Sequence, residues 1–161
     1  MTVGKEKYAE YEEDLQQILS EAKDLQNMLL KQIDKDARCF EPLSRAYHLP
    51  KDSPQRAEIM ENALSLACTA PLSIMKTSCR GIELCEELAE KGSSLVISDV
   101  GVGVLCLKSA LIGASLNIYI NANQMRDKAY SENLISDMES LLSEYTVRAD
   151  KVYEDVLLKL K

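Results

Sequence analysis

Apolar residues recur along this chain at steps of three or four from one end to the other. Over residues 5–47, Tyr8, Tyr11, Leu15, Ile18, Ala22, Leu25, Leu29 and Ile33 keep that spacing. The period places them on one stripe of an amphipathic helix, with charged residues opposite. The stripe continues through Phe40, Leu43 and Tyr47, and Pro42 inside it should kink the helix or end its regular part. Residues 49–54 read as a connecting loop, with Ser53 as N-cap and Pro54 at the first helical position of the next stretch.

A second helical stretch covers 54–91, and Pro71 divides it. Ile59, Ala63, Leu66 and Ala70 mark the first piece; Leu72, Met75, Cys79, Ile82 and Cys85 mark the second. Gly92 suits the C-terminal cap, and 93–97 reads as a short linker. In the third stretch Ser98 resembles an N-cap, followed by Asp99 in an acidic first turn. Its valines and glycines would allow a strand, but the spacing of Val100, Val104, Leu107, Leu111 and Ile118 favours a helix. The last helix, over 127–160, carries Leu134, Met138, Leu141, Tyr145, Ala149, Val152, Val156 and Leu160. The expected fold is therefore all-α: a multihelical bundle of long kinked helices in one domain, 1–161. Few, very long helices leave apolar surface at their edges, which a homodimer would cover.

Composition narrows the function. The net charge of −7 argues against nucleic acid as the main partner, though a local basic patch could still hold a small anion. The first fifteen residues are rich in Lys, Glu and Asp, with no signal-peptide core, and the apolar run from Val100 to Leu107 is too short to cross a membrane. A soluble, cytoplasmic protein without membrane attachment is expected. Five cysteines show no C-x-x-C spacing and read as reduced core residues; with His48 the sole histidine, no metal site is expected. His48 itself reads as a helix-end cap.

Two places could carry chemistry. Leu29, Ile33, Asp36 and Phe40 share one helix face, so the Asp36 carboxylate points toward the core or a cleft. It is either paired there with a cation from another helix or part of a site. Asp99, Gly103, Cys106, Ala110, Gly113, Asn117 and Asn121 form a second stripe: a carboxylate, small residues, then two amides. Such a face suits close helix packing, or a flat ligand fixed at its polar ends. Lys76, Arg80 and Lys108 could attract an anionic tail or form a solvated face.

Both places coincide with a resemblance. Gly4-Lys5-Glu6-Lys7-Tyr8, Asp34-Lys35-Asp36-Ala37-Arg38-Cys39-Phe40, Leu49-Pro50, Ala70-Pro71-Leu72, Lys91-Gly92, Ser98-Asp99-Val100-Gly101-Val102-Gly103 and Gly113-Ala114-Ser115-Leu116-Asn117-Ile118-Tyr119-Ile120-Asn121 resemble, in order, elements of the folate cyclodeaminase and methenyltetrahydrofolate cyclohydrolase family. The resemblance spans essentially the whole chain. It implies an intertwined all-helical homodimer that takes a tetrahydrofolate derivative as substrate, with no covalently bound cofactor and a formiminotransferase as a candidate partner. It implies formimidoyltetrahydrofolate cyclodeaminase activity, slightly favoured, or methenyltetrahydrofolate cyclohydrolase activity; the alternative is a non-catalytic dimerisation or scaffold module on the same fold. Asp36 and Asp99 are then the catalytic candidates: Asp36, in an apolar stripe, could act as the acid, and Asp99, at a helix N-terminus, could act as a base or hold a substrate proton. The resemblance puts Phe40, Ser98, Gly101, Gly103, Asn117 and Asn121 forward as substrate-binding. Relative to the family the sequence reads as short at its N-terminus, where a glycine-rich PxPGGGS element is expected, and Gly92-Ser93-Ser94 departs from the usual GNxN.

Overall fold

The computed structural model describes residues 2–161. After a 3-10 segment at Glu6–Tyr11, five α-helices follow: α1 (Glu12–Tyr47), α2 (Arg56–Ala67), α3 (Thr69–Lys91), α4 (Ile97–Ala122) and α5 (Lys128–Leu160). A 3-10 turn at Ser94–Val96 precedes α4, which is a helix and not a strand.

The prolines act differently from expectation. α1 runs through Pro42 to Tyr47. Pro42 and Arg38, whose carbonyl loses its helical donor, are both exposed, so water can satisfy that carbonyl. The break between α2 and α3 falls at Cys68, before Pro71. Pro71 sits in the first turn of α3, where a backbone N–H has no intrahelical acceptor to lose. α2 begins at Arg56, not at Pro54, and Ser53 contributes its carbonyl to the Arg56 N–H (3.1 Å) in place of a side-chain cap. At the start of α4, Ser93 caps the preceding 3-10 turn, and Ser98 already lies inside the helix beside Asp99. Asp127 caps α5 by accepting from Tyr130 N–H at 3.0 Å. His48 closes α1, its ring nitrogen 2.8 Å from the Ser44 carbonyl. Gly92 closes α3 with extended backbone rather than a left-handed turn; a Cβ there would meet the Leu88 carbonyl oxygen at 2.5 Å.

α3 and α4 form the centre. α3 packs on α1, α4 and α5; α4 packs on α3 and α5; α2 covers the end where α1 and α4 approach. Leu43, Leu64, Met75, Ile82, Leu111, Ile118 and Met138 are fully buried there. Cys39, Cys68, Cys79 and Cys85 join this core as reduced thiols, whereas Cys106 is exposed on α4. Burial pushes the thiols of Cys68, Cys79 and Cys85 up to about 11, which keeps them protonated and unreactive.

A polar clamp ties α5 to α3. Arg148 donates to both carboxylate oxygens of Glu86 (2.8 and 2.6 Å), and the Tyr145 hydroxyl donates to Glu83 (2.5 Å). Arg80 bridges Glu83 and Glu21 of α1. Burial pushes Glu83 up, but Tyr145, Arg80 and Arg148 outweigh it and hold the carboxyl below 4.5; bonds from Arg80 hold Glu21 below the same value. Because both folded values are lowered, this stabilisation is present above about pH 4.5 and is lost as pH falls through the lowered values. Replacing Arg148 with Met should therefore cost about 2 kcal/mol at pH 7. In denaturant titrations the deficit should shrink at pH 3, where the carboxylates are protonated; equal deficits at both pH values would contradict this account.

Two helix faces remain uncovered. The α1 stripe was expected to be buried, yet Ile33 is 68% exposed and Phe40 50%. On α4, Val102, Leu105, Ile112, Leu116 and Ile120 are exposed. By length and mean hydropathy (2.0) the segment Ser94–Ala122 would also suit a membrane span, although one side of it packs on α3 and α5. α1 and α4 flank α3 and leave a groove between them. Its middle is an apolar cavity of about 390 Å³ lined by Leu25, Leu29 and Ile33 of α1, Gly81 and Leu84 of α3, and Leu107 of α4.

Candidate functional site

The groove ends in a cavity of about 340 Å³ that changes character from apolar to polar. α1 contributes Asp36, Phe40 and Tyr47, α2 and α3 contribute Ala67 and Pro71, and α4 contributes Asn117, Ile120 and Asn121, with Gln124 just beyond it. The geometry follows from helical spacing. Asp36, Phe40 and Tyr47 are four and seven residues apart on α1, and Asn117, Asn121 and Gln124 are four and three apart at the end of α4. Pro71 and Ala67 are buried and form an apolar floor.

Its polar groups are arranged unequally. Tyr47 donates to Gln124 Oε1 at 3.0 Å, and Gln124 Nε2 donates to the Ile120 carbonyl at 2.8 Å, so this wall is fixed. Asn117 turns its amide back onto the Gly113 carbonyl (3.3 Å). Asn121 is only 7% exposed and lines the cavity, yet its side chain makes no hydrogen bond among the described residues. Its amide opens on the cavity, where water or a bound ligand can pair with it. Asp36 is exposed, lines the same cavity, and forms no ion pair among the described residues. It is the sole charged side chain on the wall among the described residues.

Four sequence candidates thus come together: Asp36, Phe40, Asn117 and Asn121. The other four do not reach them within one chain. Asp99 lies in the first turn of α4, about 27 Å from Asn117 along the helix at 1.5 Å per residue. Ser98 and Asp99 are exposed at that far end. Gly101 is buried under α5, where an added Cβ would lie 3.0 Å from Val156 Cγ1, and Gly103 stands 3.9 Å from Cys85 Sγ by the same measure. Asp36, expected to point toward the core or a cleft, is exposed at the rim of the cavity in the single chain. Two lining residues went unnoticed in the sequence. Tyr47 was assigned to the buried stripe, and Gln124 lies one turn beyond Asn121, just after the last periodic residue. Arg80 and Lys108, considered for an anionic tail, are committed to Glu21, Glu83 and Asp150.

Fold and cavity together define an all-helical protein with a ligand-sized cleft that pairs one carboxylate with directed amides over an apolar floor. Residues 1–140 match the family described as Formiminotransferase-cyclodeaminase. A methenyltetrahydrofolate cyclohydrolase from Methylorubrum extorquens is 37% identical, over 99% of this chain and 79% of its own length. The formimidoyltransferase-cyclodeaminase of Sus scrofa is 28% identical over 96% of this chain, which spans only 29% of that protein. The crystal structure of formiminotetrahydrofolate cyclodeaminase from Thermotoga maritima superposes with a TM-score of 0.82 at 23% identity, covering 99% of this chain and 75% of that one. The chain belongs to the formiminotransferase-cyclodeaminase family.

Proposed function

We propose that this protein acts on the one-carbon unit held between N5 and N10 of tetrahydrofolate, as a methenyltetrahydrofolate cyclohydrolase. The observation that carries the reading is the cavity at the end of the groove, which the Asp36 carboxylate and the Asn117 and Asn121 amides line together. The Methylorubrum cyclohydrolase, similar over nearly the whole chain, supports the choice of reaction. In it, water adds to the methenyl carbon of the N5–CH–N10 cation and gives up a proton to Asp36. The hydroxyl on the tetrahedral carbon then loses its proton as the C=O forms, N5 takes a proton as the C–N5 bond breaks, and the formyl group stays on N10. One proton is released overall. Asn117 and Asn121 hold the pterin and the added oxygen by directed hydrogen bonds, and Phe40 packs on the ring face. A second reading, formimidoyltetrahydrofolate cyclodeamination with release of ammonia, is favoured by the similarity to cyclodeaminases. It places the same groups around the same carbon.

We also propose a homodimer. The exposed seam Val102, Leu105, Ile112, Leu116 and Ile120 needs a cover, and it carries no charged residue. If two copies of α4 pack antiparallel about a dyad near Ser109, the partner subunit's Asp99 comes to lie beside Tyr119 and Asn121 of the first copy. That pairing would join the two halves of the candidate site and would also oppose the helix dipoles favourably. Four buried, unpaired thiols fit a reducing, cytoplasmic setting. Absorbance-monitored turnover of 5,10-methenyltetrahydrofolate and 5-formiminotetrahydrofolate tests the reading. Turnover of the first above its spontaneous rate supports the cyclohydrolase; turnover of the second alone supports the cyclodeaminase. Failure of both, in a protein that still self-associates, would leave a scaffold module.

A further inference from the structure

At the end of the candidate site, the bonds around Gln124 fix the direction of its amide. The Ile120 carbonyl can only accept, so Gln124 turns its nitrogen to it (2.8 Å) and its oxygen to Tyr47 (3.0 Å). The Tyr47 hydroxyl therefore donates its proton to Gln124. Two groups of the pair are left over: the lone pairs of Tyr47 Oη and the second N–H of Gln124 Nε2. Neither has another partner among the described residues. Both residues line the cavity, so an acceptor and a donor stand at neighbouring points of its wall. The pair is braced from both sides. Glu61 of α2 accepts the backbone N–H groups of Arg126 and Asp127 (2.7 and 3.0 Å) and so anchors the turn after α4. The Gln124 N–H bonds the Asn121 carbonyl (3.1 Å). Tyr47 is the last residue of α1, and no other side-chain bond joins α1 to α4 or to that turn among the described residues. An acceptor and a donor held this way lose little freedom when a ligand arrives.

We propose that Tyr47 and Gln124 recognise the oxo edge of the substrate's pterin ring and are specificity-determining residues of this site. The proposal rests on the cavity being the folate site. A 2-amino-4-oxo pterin carries a ring N3–H beside its C4 carbonyl, a donor next to an acceptor. The N3–H donates to Tyr47 Oη, and the C4 carbonyl accepts the free N–H of Gln124. A 4-amino ring reverses both groups: N3 becomes an acceptor and C4 carries a donor, so each meets a group of its own kind. Turning the Gln124 amide over to suit that ring would set its oxygen against the Ile120 carbonyl, and turning the Tyr47 proton to N3 would leave Gln124 Oε1 without its donor.

Calorimetric titration with 5-formyltetrahydrofolate and with its 4-amino-4-deoxy counterpart tests this apart from turnover. The wild type should bind the oxo ligand about fivefold or more tightly, because the reversed edge leaves both protein groups unpaired at a rim where water competes. Tyr47→Phe keeps the ring and removes the hydroxyl, and should bring the preference below about twofold. Gln124→Met, which removes the amide from the other side of the pair, should do the same. Both substitutions fall on exposed side chains, and thermal melting checks that each variant is folded. A purely structural role would weaken both ligands alike and leave their ratio at the wild-type value; that result overturns the assignment. Equal affinity of the wild type for the two ligands also overturns it, and does so alone if turnover still depends on Asp36. Absence of binding of either ligand to the wild type would overturn this inference together with the proposed function.

Discussion

Asp36→Asn will lower kcat for 5,10-methenyltetrahydrofolate by about a hundredfold or more, with little change in stability, because a positioned carboxylate that moves a proton contributes that much to such a step. The substitution keeps size and shape and removes only the ability to take and return a proton. Asp36 is exposed and its side chain bonds nothing among the described residues, so no structural pairing there is lost with it. The effect should fall on kcat more than on KM, since Phe40, Asn117 and Asn121, proposed above to hold the ring, are unchanged in the variant. Asn121→Ala should behave differently, weakening binding of ground state and transition state together and raising KM. A variant Asp36→Asn that turns over like the wild type would remove Asp36 from the chemistry.

Helix existence was legible from the apolar period alone, and α5 was read to within a residue of its observed start. Helix ends were not, for a physical reason. Pro42, Pro71, Ser53 and Ser98 all carry strong local signals, but each can be satisfied in more than one way. A proline costs little in a first turn, or where its orphaned carbonyl meets water. A serine can offer a carbonyl as well as a hydroxyl, and Ser53 does so toward Arg56. The direction of the α1 stripe was legible, but its burial was not. Period shows that Ile33, Asp36 and Phe40 share a face; it does not show that this face looks across a groove rather than into the core of the chain. The site was half legible for the same reason. Asp36 and Asn117 were each found on their own helix, and their meeting across the groove depends on how α1 and α4 flank α3. Tyr47 and Gln124 carried no separate signal, because their role arises from one hydrogen bond between distant helices.

Mixing two inactive variants will restore activity if the site is shared between subunits. Asp36→Asn and Asp99→Asn are each expected to be inactive as homodimers, losing about a hundredfold or more in kcat. In the antiparallel α4 pairing, each site takes Asp36 from one chain and Asp99 from the other. A heterodimer of the two variants then holds one site with both substitutions and one site with neither. Random exchange makes half of the dimers heterodimers, so an equimolar mixture, unfolded and refolded together, should recover about a quarter of wild-type activity by the symmetry of the pairing. Recovery should vanish when mixing is done without subunit exchange. The seam supplies a control: Leu116→Glu buries a charge against a second apolar helix, should convert the dimer to monomer in sedimentation, and should abolish the recovery. If each variant is inactive and the mixture stays inactive while dimers demonstrably exchange, the two aspartates do not serve one site across the dyad. The distance of about 27 Å along α4 between Asp99 and Asn117 would then leave Asp99 a role only within its own end of the bundle.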